Sequence, residues 1–367
     1  MMATTDRPYR PSDAHPALAR ARRFEQLLEQ DPTNALLLAD TADAAIAAGE
    51  FESADAFIRS GLALQPNEPG WVFRQATLRI AQRDLVAARE LLTGLQQASG
   101  PHPVIAHNLA YIDFLSGDFN SAAAALKPWL DQPQTQEDAT QSLWLRAMHH
   151  LGSLDEAWAF VQARAKAGSL GAGAAGVASL IALDRSDLAA AQQLSQQSVD
   201  AGAAQVEAFV ARASCALAAG DTALAKQLLQ RALQLSPRDG RSWSSLGFAL
   251  SIEQDFAGAR QAFDTAVASM PQHTESWQGL GWACVMLNDL PAAAIAFDAA
   301  LALDEANAES HGGRAVVHAL QREHQAARAH IDRATGLDNA NVSAQLAQRI
   351  LSGEITGPKD LQLPRRS

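Results

Sequence analysis

The sequence predicts an all-α protein, an α-solenoid of tandem helix-turn-helix units, and three observations carry that prediction. Nine alanines, Ala54, Ala88, Ala122, Ala157, Ala191, Ala225, Ala259, Ala293 and Ala327, recur every 34 residues apart from one step of 35. Four residues before each stands an acid or a serine: Glu50, Asp84, Asp118, Ser153, Asp187, Asp221, Asp255, Asp289 and Glu323. The composition is 48 % hydrophobic with 6 % aromatic residues, without a long apolar run or β-branched alternation, so neither a sheet nor a membrane span is expected. A unit of this length cannot bury its apolar face alone, so its neighbours must stack on it.

The elements follow in order from the two columns. Residues 1–16 read as a disordered N-terminal tail, and 17–34 as a half-repeat cap in which Phe24, Leu27 and Pro32 sit where a second helix would place them. Nine units then fill 35–341, starting at 35, 69, 103, 138, 172, 206, 240, 274 and 308. Residues 342–353 read as a capping helix and 354–367 as a disordered tail. Within a unit, the eighth position is mostly small (Ala42, Ala76, Ala110, Ala213, Gly247, Gly281, Ala315), as expected where helix A crosses helix B at the alanine column. Large side chains at the twenty-fourth position (Ile58, Leu92, Leu126, Val161, Leu229, Phe263, Phe297, Ile331) and Trp243 and Trp277 at the fourth fill the space that this leaves. The acid or serine is placed to cap helix B, accepting from its free N–H groups at the positive end of its dipole. Pro291 fits the first turn of such a helix.

Two segments break the rhythm. Pro128 falls inside the second helix of the third unit, with Pro133 and the one extra residue just after it. The run Gly168–Ser169–Leu170–Gly171–Ala172–Gly173–Ala174–Ala175–Gly176 enters the fifth unit and reads as a flexible joint.

The 34-residue grammar, with Pro32, Pro66, Pro237 and Pro271 at the helix-terminating position and Trp243, Leu246, Gly247, Ala259, Phe263, Ala266, Pro271 as one nearly complete unit, resembles the tetratricopeptide repeat. That resemblance implies a right-handed superhelix whose concave groove is lined by positions 2, 5, 6, 9, 12 and 13 of each helix A. It also implies protein binding. Its carboxylate clamp, a Lys at position five with an Asn at position nine, is missing here, which argues against chaperone tails. The asparagine ladder of glycosyltransferase-associated repeats is missing too.

Composition narrows the partner. The net charge is −11, and the excess of acids falls on the repeats, so phosphate backbones are repelled and nucleic acid is not expected. The start of the chain shows no apolar leader core, and a cytoplasmic location is expected. Cys215 and Cys284 are then free thiols. Only Lys127, Lys166, Lys226 and Lys359 among 29 basic residues are lysines, which suggests a GC-rich bacterial genome.

Catalytic signatures are absent. Gly171, Gly173 and Gly176 satisfy G-x-G-x-x-G, but the dinucleotide fingerprint needs a preceding strand. No P-loop, C-x-x-C, H-E-x-x-H or G-x-S-x-G occurs, and adjacent His149 and His150 cannot share a helix face. His311 and His318, seven apart, read as packing histidines. No cofactor, no metal and no catalytic residue are expected.

Two sets of residues fall on the expected groove. Arg74, His107, Asn108, Tyr111, Arg146 and His149 form a polar, partly cationic set suited to a carboxylate or an acidic peptide. Phe248, Ile252, Trp282, Val285 and Met286 form an apolar stripe suited to an amphipathic helix, with Glu207, Glu275 and Glu309 on the same wall. The expectation is a scaffold or adaptor binding a peptide or helix of a partner protein, with homo-oligomerisation possible. The alternatives are a regulatory sensor of a small peptide or anionic ligand, or a non-catalytic substrate-recognition subunit of an enzyme complex.

Overall fold

The computed structural model describes residues 16–132, 137–203 and 205–357. Its elements are all helical among these residues. A single helix, α1 (Pro16–Leu28), precedes a series of helix pairs: α2 (Ala35–Ala48) and α3 (Phe51–Leu64), α4 (Pro69–Ala81) and α5 (Leu85–Ser99), α6 (Pro103–Leu115) and α7 (Phe119–Leu126). Next come α8 (Glu137–His150) and α9 (Leu154–Ala167), α10 (Ala172–Asp184) and α11 (Leu188–Asp200), and α12 (Val206–Ala218) and α13 (Thr222–Leu235). The series ends with α14 (Gly240–Ile252) and α15 (Phe256–Ser269), α16 (Thr274–Met286) and α17 (Leu290–Leu303), α18 (Ala308–Leu320) and α19 (His324–Leu337), and the unpaired α20 (Val342–Leu351). None of these helices is long and apolar enough to cross a membrane. The chain divides into two compact units, residues 1–156 and 157–367.

Every residue of the acid column immediately precedes a second helix. Asp84, Asp118, Asp187, Asp221, Asp255 and Asp289 each accept a hydrogen bond from the backbone N–H three residues on. Glu50 and Glu323 hold the same place and make no such bond. The extra methylene carries the glutamate carboxylate past the N–H that an aspartate reaches.

The alanine column is fully buried, at 0 % exposure in every member, and the eighth position is buried throughout. Their small size lets the helices of a pair approach, and the large residue at the twenty-fourth position fills the remaining space. Where that residue is phenylalanine, glycines make the room. A Cβ on Gly247 would lie 2.8 Å from the Phe263 ring and one on Gly279, in the next pair, 2.4 Å from it. Gly281 and Gly313 hold Phe297 in the same way, at 2.8 and 2.3 Å. Each ring is thus gripped by its own pair and by the next.

The two irregular segments behave differently. Pro128 ends α7 after eight residues, against 13 to 15 in the other second helices, and a 3₁₀ turn (Lys127–Trp129) follows; Pro133 lies outside the described residues. The glycine run is not a loose joint, contrary to expectation. Gly168 makes a turn at φ +69° and Gly171 caps α10, whereas Gly173 and Gly176 lie buried inside that helix. A Cβ on Gly176 would meet Ser198 Oγ at 2.7 Å and Gln205 Cβ at 2.9 Å. These glycines permit close packing, and α10 is buried without a break from Gly173 to Ala182.

At the C-terminal end, Asn341 caps α20 and Ile355, just beyond it, is 5 % exposed. Of the expected tail, 354–357 is described and 358–367 lies outside the described residues, as does 1–15 of the N-terminal one.

Candidate functional site

The residues expected on the groove face of the first helices, the wall positions, behave differently in the two units. In residues 1–156 most polar candidates are occupied. Arg74 donates from Nε and Nη2 to Asp43 Oδ2 at 3.2 and 3.0 Å, from Nη1 to the Gly70 carbonyl, and lies over the Trp71 ring. The Asp43 carboxyl is nonetheless raised above its ordinary pKa, because burial outweighs the guanidinium. Asn108 bonds back to the carbonyl of Val104, one turn earlier. Arg146 and His149 are half-buried, and both have partners. His107 is half-buried with Nδ1 unbonded, and desolvation lowers its pKa, which keeps it neutral at pH 7. Tyr111 alone of the set is well exposed, at 38 %. Arg74, the clearest cation of the expected set, is therefore engaged by Asp43 within the fold.

In residues 157–367 the wall opens into a depression of about 450 Å³ lined by Leu183, Val210, Ser214, Leu217, Arg241, Ser244, Ser245, Phe248, Ile252, His273 and Glu275. Phe248 and Ile252 are its exposed apolar surface, at 39 % and 58 %. The Phe248 ring is held edge-on by Phe263, 4.9 Å between centroids. Arg241 forms a two-pronged pair with Asp184, Nη1 to Oδ1 at 3.0 Å and Nη2 to Oδ2 at 3.2 Å. His273 caps α16 through Nδ1, which accepts from the N–H of Ser276. Its Nε2 lies 3.4 Å from Glu275 Oε2. Burial, the largest effect, lowers the His273 pKa, so the ring is neutral at pH 7 and the contact is not an ion pair. Position numbering could have found Arg241, Ser214, Ser244 and Ser245, because they occupy wall positions 2, 9, 5 and 6; attention to apolar residues alone passed over them.

Three members of the expected stripe need correction. Val285 is 0 % exposed and belongs to the core with Phe297 and Val316, because α16 turns its twelfth position inward. Met286 is half-buried. Trp282 is half-buried too: its ring stands edge-on to Phe297 at 5.6 Å and its Nε1 donates to Glu309 Oε1 at 2.9 Å. Trp282 is thus part of the packing, and it is not a free anchor beside Phe248.

A histidine cluster lies elsewhere in this unit. His330, on α19, sits between His311 and His318, with 3.0 Å between the Nδ1 atoms of His311 and His330 and a stacked contact to His318. His311 Nε2 lies 3.0 Å from the Glu305 carbonyl, and His318 Nδ1 lies 2.6 Å from Glu323 Oε2. Among the described residues, no group of His, Cys, Asp and Glu is arranged to hold a metal.

Sequence comparison matches models described as tetratricopeptide repeat at residues 11–72, 253–308 and 288–342. No curated protein matches the chain. Among solved structures, the APC/C hetero-tetramer Cut9–Hcn1 superposes over 92 % of this chain and 67 % of its own, with a TM-score of 0.64 and 13 % identity. MamA from Desulfovibrio magneticus RS-1 covers 47 % of this chain and 97 % of its own, with 18 % identity and a TM-score of 0.40. At these identities the likeness concerns the fold.

Proposed function

We propose, from the premise that this chain is a tetratricopeptide-repeat protein, that it is a non-catalytic scaffold or adaptor whose concave groove holds a segment of a partner protein. The contact region is the depression around Phe248. One observation supports this most: within residues 157–367 an aromatic ring and an isoleucine stay exposed, at 39 % and 58 %, where the other large apolar residues at wall positions are buried or half-buried. Exposed apolar surface in a concave, mixed-polarity depression is typical of a recognition surface. The polar set in residues 1–156 gives the groove less, because Arg74 is already paired with Asp43. The sensor alternative loses its glycine joint, since Gly173 and Gly176 are packing residues. A cytoplasmic setting and self-association remain compatible with this role.

The test is a photo-crosslinking amino acid at Ser245 in the full chain, in the native host. A partner captured from this position, and lost when Phe248→Ala is added, supports the reading. Capture that is indifferent to Phe248 would refute it.

A further inference from the structure

The wall repeats one arrangement in successive units, and its last copy is filled by the protein itself. Position nine of one unit meets position two of the next. At the C-terminal end these are Trp282 and Glu309. The Glu309 carboxylate accepts from Trp282 Nε1 at 2.9 Å, from Ser343 Oγ at 2.7 Å and from Asn341 Nδ2 at 3.4 Å. Three neutral donors satisfy it.

One unit earlier the same positions are Phe248 and Glu275, which line one depression. Phenylalanine has no N–H to give. The counterpart of Ser343 is Glu309, an acceptor. The counterpart of Asn341 is Asn307, whose Oδ1 caps α18 and accepts from Gln278 and whose Nδ2 bonds to Asp304. Glu275 is left with the neutral imidazole of His273 at 3.4 Å, and its side chain is 66 % exposed. Arg241, in the same depression, is taken up by Asp184. The result is an uncompensated carboxylate beside an exposed ring.

We propose that this open copy accepts an arginine or lysine side chain on Glu275 and a neighbouring apolar side chain on Phe248 and Ile252, both from one segment of a partner protein. The charge complementarity is opposite to that of a groove built for acidic tails. The proposal rests on the reading of this wall as the partner-binding surface, and it names the chemistry of the partner.

The test uses two labelled synthetic helical peptides with the same leucine face, one flanked by arginines and the other by glutamates, titrated by fluorescence anisotropy against the full chain. The arginine peptide is expected to bind. Phe248→Ala should weaken it at least about tenfold, as for a central aromatic anchor. Glu275→Gln should weaken it about three- to fivefold, an effect that shrinks as salt is raised. Asp332→Asn, an exposed acid outside the depression, should change nothing, which separates the site from general attraction to an acidic chain. If the glutamate peptide binds as well, or Glu275→Gln has no effect while Phe248→Ala does, the charge inference is overturned and the groove reading stands. If neither peptide depends on Phe248, both fall.

Discussion

Replacing Gly313 by alanine adds one methyl group and asks whether the phenylalanine socket is real. Alanine is favoured over glycine inside a helix by about 1 kcal/mol. That gain should appear at Gly94, an exposed glycine in α5 whose added Cβ meets nothing within 4 Å. At Gly313 the new Cβ lands 2.3 Å from Phe297 Cε1, and the ring is fully buried between two helices, with no exposure through which to retreat. Overpacking of this kind costs about 1–3 kcal/mol; the propensity gain is common to both variants and cancels, so Gly313→Ala should be less stable than Gly94→Ala by about 1–3 kcal/mol. Urea denaturation followed by far-UV circular dichroism gives the midpoints, and native-state amide exchange locates the opening in α16 to α19, because repeat arrays need not unfold in one step. Phe297→Leu supplies the second arm. Leucine already serves at this position as Leu92, Leu126 and Leu229, and in its presence the penalty of Gly313→Ala should fall by at least about 1 kcal/mol as a coupling energy. Equal stability of Gly313→Ala and Gly94→Ala, or a penalty unchanged by Phe297→Leu, would refute the socket.

Further outcomes follow from the caps, the tryptophan and the histidines. Asp221→Ala should cost about 0.5–2 kcal/mol, and Glu50→Asp, which shortens an acid that makes no cap bond, should gain a fraction of that, both read from denaturation midpoints. Trp282→Ala should lower stability as well as any groove affinity, because it removes the edge contact to Phe297 and one donor to Glu309; a variant with wild-type stability would contradict the packing. Burial first, then His311, His318 and Arg314, push the His330 pKa down to about 4, with Asp298 opposing. The unfolded chain takes up that proton near pH 6.5 while the fold resists it, so this contribution is complete above pH 6.5 and is lost as pH falls toward 4. His330→Gln should flatten the dependence of the midpoint between pH 7.5 and 5; an unchanged slope would remove His330 as its source.

The repeat, its register and its crossing points were legible because they rest on size and period, and both are printed in the sequence. Ala191 or Ala259 has to be small wherever two helices cross. Side-chain partnerships were not legible. Arg74 looked free because Asp43 lies 31 residues away, on a different helix, and only the fold brings the two together. Trp282 looked like an anchor for the same reason: Glu309 and Phe297 belong to other helices. Val285 shows the limit of wall positions, since the twelfth residue of α16 packs in the core and not on the groove. The glycine run misled because glycine serves both turns and close packing, and only the atoms that a Cβ would strike distinguish Gly176 from Gly168.

The double grip on each phenylalanine also bears on how this stretch of chain can change over generations. Phe263 needs a glycine from its own unit and another from the following one, and Phe297 repeats the arrangement. A recombination that duplicated, deleted or swapped one of these units would pair a ring with a helix lacking its notch, or a notch with a smaller side chain and a void. Units that meet through leucine carry no such matching condition. Residues 240–337 are therefore expected to be kept together as a single cassette, with any lengthening or shortening of the array outside it.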